Sequence, residues 1–457
     1  MKKKFLSLLA ILLIPFISFA QYAFAVGSTS IENASFSAES LSQANAVVAQ
    51  ATEPAAISYN PAGIVQLDGL QVQPNVSFLS ILTTFKSRTP DTVPGEKSSP
   101  TIVPVPTGYI TVNPGPLLWD RVAFGVGADS PFGLSNKYDA GHPIVRYAGW
   151  RNWFKMYAVK PVVAFKLTDW LSIGGGPMWY RVFDWGGIQA YPNALIVPGS
   201  ADGQVRLNLS GQHWGWQAGV LAKPHLKHSF GFYFRSPVVV RTKGLIKVEN
   251  SAFGGNFETG TDAKYPLPLN FTWAYAFKPI EPTTIEFDFG YTRWSTFERL
   301  FINHNTTNIN VLDTTILNAI GLVNKDFRDS ISFNLGANHK FNEKLTLMVG
   351  SYFMTPAGPN SSFIPAIPDG NRLAYSIGAN YNLSKHIVIG ACYFNAWNFR
   401  RNINNDVASA LGVSEDGDYT TFIQELTLSF TYKWENLFDK FHKKSIDQTA
   451  SVQDVAV

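Results

Sequence analysis

The feature of this sequence that most restricts its fold is a repeated two-residue alternation of apolar and polar side chains. Residues 285–292 and 426–434 alternate almost without exception, and many other segments follow the same pattern. Such alternation predicts β-strands with one apolar and one polar face. The pattern predicts fourteen strands, at residues 70–83, 101–113, 118–132, 156–167, 170–184, 206–222, 228–248, 268–278, 283–298, 328–340, 344–355, 371–382, 386–400 and 419–434.

The connections between the predicted strands are alternately short and long. Every second connection has five residues or fewer, whereas each of the others has at least 15. A soluble sandwich would also alternate, but tight turns at one end, long loops at the other and an even strand number are typical of outer-membrane barrels. The sequence therefore predicts an all-β fold, a transmembrane antiparallel β-barrel of 14 strands with both termini in the periplasm.

The N-terminus has the pattern of a secretory signal peptide. Three lysines at positions 2–4 precede an apolar run at 5–20, and cleavage after Ala20, Ala23 or Ala25 satisfies the small-residue rule. Loss of these lysines lowers the formal charge from +4 to about +1, so the mature chain has no basic surplus that would indicate nucleic-acid binding.

The composition agrees with export to a membrane. Beyond the signal no run of 18 apolar residues occurs, so no transmembrane helix is predicted. Nevertheless 46% of the residues are hydrophobic, 14% are aromatic and only 15% are charged. An exported chain of this kind favours a multi-pass β-barrel in the outer membrane of a Gram-negative bacterium.

A small-residue segment before the first strand ends at Asn60, Pro61, Ala62 and Gly63. Pro61 fixes its own φ and biases Asn60 toward extended backbone, while Ala62 and Gly63 allow close packing. Because a fourteen-stranded barrel encloses a lumen too wide for its wall side chains to fill, we predict that this segment is a hatch inside it. The alternative is an ordinary turn. The predicted organisation is a signal peptide at 1–25, a hatch at 26–69, the barrel at 70–434 and a polar tail at 435–457.

Six short motifs occur in order along nearly the whole mature chain. They are Tyr59–Gly63, Gly127–Leu134, His213–Gly219, Tyr233–Ser236, Tyr291–Ser295 and Ile367–Asp369. With these motifs the chain resembles the FadL/TodX family of outer-membrane transporters, which carry long-chain fatty acids or aromatic hydrocarbons. The resemblance implies a fourteen-stranded barrel with an N-terminal hatch and a hydrophobic ligand that leaves sideways through a breach in the wall.

The continuation of the third predicted strand, Asp129, Ser130, Pro131, Phe132 and Gly133, is the expected lateral opening. Pro131 cannot donate to the strand ladder and Gly133 follows it, so pairing should fail there. In a membrane, unpaired backbone is tolerated only beside protein or water, so the hatch should cover the breach. The alternative is a strand that ends at Asp129 in a loop.

The resemblance also implies an apolar entry groove formed by the third and fourth long loops. Apolar residues in segments that should be solvated often mark binding sites. Packing of one loop on another is the alternative for each residue. The groove residues expected here are Tyr191, Leu195, Ile196, Val197, Phe253 and Phe257.

A fatty-acid carboxylate in a dry pocket needs a positive partner. By resemblance Arg181 and Arg328 are the candidates for this ligand-binding role. Strict alternation places Arg181 on the apolar face of Trp179 and Phe183, but the glycines and proline of 174–177 could introduce a bulge, so its facing stays open. Ordinary salt bridges are the alternative for both arginines.

These features predict a non-enzymatic transporter without cofactor or metal, since no phosphate loop, nucleophile elbow or metal-ligand cluster occurs. The expected function is uptake of hydrophobic compounds, foremost long-chain fatty acids, by loop capture, hatch movement and lateral diffusion. Uptake of monoaromatic hydrocarbons is the alternative within transport, and a general porin or a surface adhesin is the alternative of another class. The expected partners are a hydrophobic small molecule, outer-membrane lipid and lipopolysaccharide. In a crystal, detergent is expected to occupy the lumen. The barrel is expected to be a monomer.

Overall fold

The computed structural model is a closed antiparallel barrel of fourteen strands, as the sequence predicts. The predicted signal peptide and C-terminal tail lie outside the described residues. The structure describes residues 32, 35–88, 95–99, 102–118, 120–143, 145–147, 149–193, 197–324, 326–405 and 416–434.

Each strand pairs with its neighbours in chain order, and the last strand returns to the first. The seam runs from the pair Leu70 and Trp434 to the pair Ser87 and Gly417. The strands are β1 Gly69–Ser87, β2 Ile102–Asn113, β3 Val122–Asp129 and Gly133–Lys137, β4 Arg151–Lys166, β5 Leu171–Tyr191, β6 Gly203–His225, β7 His228–Arg235 and Val238–Ser251, β8 Gly255–Leu267 and Asn270–Ile280, β9 Thr283–Thr292 and Arg299–His304, β10 Ser330–Lys340, β11 Leu345–Met354, β12 Arg372–Asn382, β13 Ile387–Ile403 and β14 Gly417–Trp434.

Four of these strands are interrupted and then resume. Pro131, Pro237 and Pro268 lie in the gaps of β3, β7 and β8, where proline cannot donate to the ladder. The gap in β9 holds a 3₁₀ turn, Trp294–Thr296. The ring of Trp294 meets Phe132 from the gap of β3 edge to face at 6.3 Å, so two of the interruptions contact each other inside the barrel.

The two faces of the wall differ as the alternation predicts. In β14 the side chains of Leu426, Leu428 and Phe430 are exposed on the outside, whereas Thr427 and Ser429 between them are buried inside. The outer face therefore offers apolar surface to lipid, and the inner face offers hydroxyl and amide groups to whatever fills the lumen.

Residues 35–67, which we call the lumenal segment, are almost entirely buried against the inner wall. Its helix α1, Ala38–Ser42, is capped reciprocally by Ser37 and Ser40 and contacts β11 to β14. Two 3₁₀ turns, Pro54–Ser58 and Pro61–Gln66, contact strands on the side of β1 to β6. The segment thus spans the lumen from one side of the wall to the other.

Neither helix was predicted from the sequence. Helix α2, Val311–Gly321, lies in the connection between β9 and β10, where the sequence analysis expected a loop from 299 to 327. Short strands at Glu96–Lys97 and Leu322–Asn324 also lie in long connections. Among the described residues, no helix has both the length and the apolar character needed to cross a membrane.

Candidate functional site

The Asn60-Pro61-Ala62-Gly63 motif joins the lumenal segment to the wall. The Asn60 amide donates to the Val48 carbonyl at 2.7 Å and to the Val220 carbonyl of β6 at 3.0 Å. Its Oδ1 accepts from the Ala62 backbone N–H at 3.2 Å and so caps the following turn. One side chain therefore ties two parts of the segment and one wall strand together.

Glycines make this close approach possible. A Cβ added to Gly219 of β6 would lie 2.2 Å from Asn60 Oδ1, and one added to Gly63 would lie 2.2 Å from the Ala51 Cβ. Neither position has room for a larger residue, because real Cβ contacts never come so near. Gly63 is thus needed within the segment and Gly219 is needed in the wall.

A buried carboxyl, Glu53, organises the middle of the lumenal segment. It accepts hydrogen bonds from the Ser37 hydroxyl at 2.5 Å, the Tyr59 hydroxyl at 3.3 Å and the Gln73 amide of β1 at 2.6 Å. Burial, together with the nearby Glu39 carboxylate, raises the pKa of the Glu53 carboxyl to about 8. Glu53 therefore links three parts of the segment to the wall in a protonation-dependent way.

A buried ion pair stands beside the interruption of β3. Lys160 Nζ of β4 lies 2.5 Å from Asp129 Oδ2, the last residue before the gap, and 3.1 Å from the Ser58 hydroxyl oxygen. The Ser58 hydroxyl donates to the same carboxylate. Because all three side chains are buried, the lumenal segment, β3 and β4 are joined at this point.

The interruption of β3 matches the predicted break at Pro131, and the strand resumes at Gly133 instead of ending. The resumed part pairs with β4 but not with β2, whose pairing with β3 extends only from Gly108 to Val112. The ladder between β2 and β3 is therefore open beyond Ala128. That this gap lets a ligand leave sideways stays a prediction.

Protein covers the gap from inside. Phe132 is fully buried and forms an isolated antiparallel bridge with Glu32, which precedes the lumenal segment. The Glu32 carboxylate pairs with the Arg235 guanidinium at 2.5 Å, and that guanidinium lies 4.7 Å above the Phe132 ring. The Ser130 hydroxyl donates to the Met156 carbonyl at 2.7 Å.

An apolar cavity of about 180 Å³ adjoins this gap. Leu134 of the resumed part of β3 lines it, and the rings of Phe154 and Tyr265 stack at 4.8 Å in its wall. Main lining residues are Leu134, Phe154, Trp185, Tyr265, Phe297 and Ile367. The cavity can hold an uncharged, apolar group.

A second cavity, of about 140 Å³, lies between the lumenal segment and the inner faces of β7 to β14, and many of its lining groups are polar. Arg372 of β12 and Glu425 of β14 both line it. Arg372 is 3% exposed, and its Nε donates to Asn398 Oδ1 at 2.8 Å. Within the described part of the chain, no carboxylate lies within 4 Å of its guanidinium.

Helix α2 is fixed to the strand ends by a buried aspartate. Asp313 Oδ1 accepts from the Tyr191 hydroxyl at 2.5 Å and from the Ser251 hydroxyl at 2.6 Å, and Oδ2 accepts from the Asn310 amide at 2.5 Å. Leu317 of the same helix is buried in the apolar cluster that contains Phe297 and Tyr265. The helix therefore packs on the wall of the apolar cavity.

The predicted entry groove is arranged differently from the expectation. Tyr191 and Phe257 lie in strands, because β5 to β8 extend further than predicted and shorten the third and fourth loops. Tyr191 is buried, Val197 is 38% exposed, and Phe253 and Phe257 pack against the apolar cluster. Leu195 and Ile196 lie outside the described residues.

Neither of the two arginines predicted to bind a carboxylate lines the apolar or the polar cavity. Arg181 stands on the outer face of β5 with Trp179 and Phe183, as strict alternation indicates, since the register shift falls after Val182. Arg328 is exposed ahead of β10. A role in binding a ligand inside the lumen does not fit the outward position of Arg181.

Arg372, Asp313 and Lys160 were not predicted as site residues from the sequence. Lys160 could have been noticed as a charge on the buried face of a membrane strand, between Ala158 and Val162, where an unpaired cation is costly. Arg372 stands at the first position of its strand, where alternation gives no clear facing. Asn310 and Asp313 are spaced as a helix-capping pair, which could have indicated the start of α2, but the partners Tyr191 and Ser251 are distant in sequence.

Comparison with known proteins agrees with this architecture. Residues 16–434 match the family described as outer membrane protein transport protein (OMPP1/FadL/TodX). The 47 kDa outer membrane protein of Pasteurella multocida is 23% identical over 401 residues, which are 82% of this chain and 86% of that protein.

Solved structures share the fold. A Pseudomonas aeruginosa FadL homologue superimposes with a TM-score of 0.74 at 18% identity, covering 88% of this chain and 99% of the homologue. The Pseudomonas putida toluene transporter TodX does so with a TM-score of 0.65 at 15% identity, covering 90% and 100%. The chain therefore belongs to the OMPP1/FadL/TodX family of outer-membrane transporters for hydrophobic compounds, whose members are transport channels and not enzymes.

Proposed function

We propose that this protein takes up long-chain fatty acids across the outer membrane and releases them sideways through the gap between β2 and β3. The observation that carries the proposal is the apolar cavity, because Leu134, directly beyond the gap, forms part of its wall. A ligand in this cavity would therefore contact Leu134, in the part of β3 that is not paired with β2.

The lumenal segment acts as the hatch in this proposal. It contacts the edge of the gap through Ser58, which is hydrogen-bonded to Asp129 and Lys160. The chain just ahead of the segment adds the bridge between Glu32 and Phe132. A shift of the segment would release both contacts together. Movement of the segment and uncovering of the gap are thus one event.

The polar cavity supports a ligand with a carboxylate. Arg372 is a buried cation whose Nε donates to Asn398, and no carboxylate among the described residues lies within 4 Å of its guanidinium. An anionic group in the cavity could therefore pair with it. Phe132 belongs to the apolar cluster, and its ring lies under Arg235, which lines the polar cavity. We therefore assign the chain of the fatty acid to the apolar cavity and its carboxylate to Arg372.

The test is uptake of labelled oleate and labelled toluene by cells in which this protein replaces their own transporter. Arg372→Gln is compared with Arg328→Gln, which removes the same charge from an exposed position. Oleate uptake that falls only in Arg372→Gln supports the proposal. Uptake of toluene but not of oleate would indicate that the substrates are neutral aromatic compounds and would not contradict the lateral route.

The alternatives of another class predict different results. A general porin would conduct ions steadily in a planar bilayer, whereas a barrel filled by the lumenal segment should conduct little. An adhesin would bind surfaces and give no uptake of either compound. Deletion of Asn60 to Ala62 should impair uptake while heat-modifiable barrel assembly persists, and normal uptake by that deletion would contradict the hatch role.

A further inference from the structure

Three cations form a row across the outer face of four adjacent strands. Arg181 of β5 stands opposite Gln212 of β6, and Arg241 of β7 stands opposite Lys264 of β8. The pairing of β6 with β7 ends at Thr242 and Gly211, and the next residues in the same register, Arg241 and Gln212, are therefore neighbours that complete the row. The four side chains therefore lie next to one another, in the order Arg, Gln, Arg, Lys.

All four side chains point away from the lumen. Their chain neighbours Tyr180, Val182, Val240, Ala263 and Tyr265 are buried inside the barrel. In the row itself, Gln212, Arg241 and Lys264 are exposed, and Arg181 is half-buried. The row is thus a surface that faces the surroundings of the barrel.

The row lies near the loop-side edge of the lipid-facing apolar surface. Immediately toward the periplasm, the outward residues are Trp179 in β5, Trp214 in β6, Val239 in β7 and Pro266 in β8. Beyond the row, toward the long loops, Phe183 and Leu245 are still apolar, but the other outward residues of β6 and β7 include the charged Arg206 and Lys243. Aromatic side chains gather at the membrane interfaces of such barrels, so this height corresponds to the head groups of the outer leaflet.

The row has no acidic partner of its own. None of Arg181, Arg241 and Lys264 has a carboxylate within 4 Å among the residues that the structure describes. The acids nearby are engaged elsewhere, since Asp184 pairs with Lys155 at 2.8 Å and Glu258 pairs with Lys247 at 2.7 Å.

Asp262, also on this face, accepts from the Asn303 amide at 3.1 Å. Like charges directly opposite each other, as in the pair of Arg241 and Lys264, destabilise a sheet unless an anion lies between them.

We propose that this row binds the phosphate groups of a phosphorylated lipid of the outer leaflet, of the lipid A class. Arginine and lysine bind phosphate by charge-assisted hydrogen bonds, and clusters of basic residues beside a membrane surface recognise anionic lipid head groups. The acyl chains of such a lipid would lie on Trp179, Trp214 and Val239 below. This binding site goes beyond the proposed uptake function and does not depend on it.

The experiment is a titration of the full-length protein in detergent with bisphosphorylated lipid A, followed by native mass spectrometry. The variant Arg181→Gln/Arg241→Gln/Lys264→Gln should raise the apparent Kd at least about tenfold. The matched control is Lys227→Gln/Lys344→Gln/Lys385→Gln, which removes three exposed charges from periplasmic turns and should bind like the parent protein. Lipid A without its phosphates should bind the parent protein as weakly as the triple variant binds bisphosphorylated lipid A.

The proposed site would be overturned if the parent protein and the Arg181/Arg241/Lys264 variant bound bisphosphorylated lipid A equally well. It would also be overturned if the control variant lost as much lipid affinity as the Arg181/Arg241/Lys264 variant. Displacement of the lipid by millimolar inorganic phosphate would show a free-anion site and would overturn the assignment to lipid. Heat-modifiable migration checks folding, and the single variant Lys264→Gln, at an exposed position, serves if the triple variant fails to assemble. Oleate uptake is measured in parallel, because lost lipid binding with normal uptake separates this site from the transport route.

Discussion

The two cavities of this barrel differ in the side chains that line them. The apolar cavity is lined by aromatic rings, among them the stacked pair Phe154 and Tyr265, whereas the polar cavity is lined by Arg372, whose guanidinium has no carboxylate within 4 Å among the described residues. Between them stands Phe132, which contacts both the apolar cluster and Arg235. The difference indicates that one molecule with an apolar chain and a charged head could use both cavities at once.

The largest effect is expected at the buried ion pair of Lys160 and Asp129 beside the interruption of β3. Lys160→Met leaves the Asp129 carboxylate buried without its cation and should lower the free energy of unfolding by about 3–5 kcal/mol. Thermal unfolding of the purified barrel measures it. The double variant Lys160→Met/Asp129→Leu should recover much of the loss, and no recovery would show that the pair matters for more than charge balance.

The charge that distinguishes the polar cavity should control substrate choice. Arg372→Gln should lower oleate uptake roughly tenfold, equivalent to ~1.4 kcal/mol, and should leave toluene uptake unchanged. Arg372→Lys keeps the charge but not the planar fork, and it should restore part of the oleate uptake. A loss of toluene uptake in Arg372→Gln would show that the two cavities are not chemically distinct.

The apolar cavity should open more easily when helix α2 is released. Asp313→Asn replaces the carboxylate that accepts from Tyr191 and Ser251 by a weaker acceptor, so local opening should become easier by about 1–2 kcal/mol. Hydrogen exchange at residues 311–318 measures this change. Asp326→Asn, in the same connection, is the control, and unchanged exchange in Asp313→Asn would rule out the fastening role.

The smallest effect is expected from pH on the lumenal segment. Because the Glu53 carboxyl has a raised pKa in the folded protein, its contribution to stability is full below its ordinary value of 4.5 and declines as pH rises through about 8. Hydrogen exchange at residues 38–42 should therefore be a few-fold faster, after correction for intrinsic rates, at pH 9 than at pH 6. Glu53→Gln should remove this dependence, and an equal dependence in that variant would assign it to another group.

The wall was predictable because one physical rule repeats along it. Each of the fourteen strands has one face toward lipid, so the alternation around residues such as Phe287 and Leu428 is strong, and Pro131 marks the break because proline cannot donate to the ladder. The extents of β5 to β8 were underestimated, since their upper ends, near Tyr191 and Ser251, stand beyond the apolar layer and lose the lipid-facing signal.

The site was less predictable, because its contacts join residues that are distant in sequence. Alternation correctly indicated the outward facing of Arg181, but not what that face would meet. Ser58, Asp129 and Lys160 come from three separate segments, and Asp313 finds its partners 62 and 122 positions away. A local sequence pattern does not indicate contacts between residues so far apart in the chain.

The seam between β1 and β14 has a consequence for biogenesis. It joins positions such as Ser77 and Thr427, which are 350 residues apart, and the lumenal segment is continuous with β1 at this seam. Contacts so distant in sequence form slowly, and until they form the inner hydroxyl groups and both strand edges stay unpaired. A segment that already contacts β11 to β14 through α1 brings the two ends of the wall together, so the part of the chain that later fills the barrel can also serve as the template on which it closes.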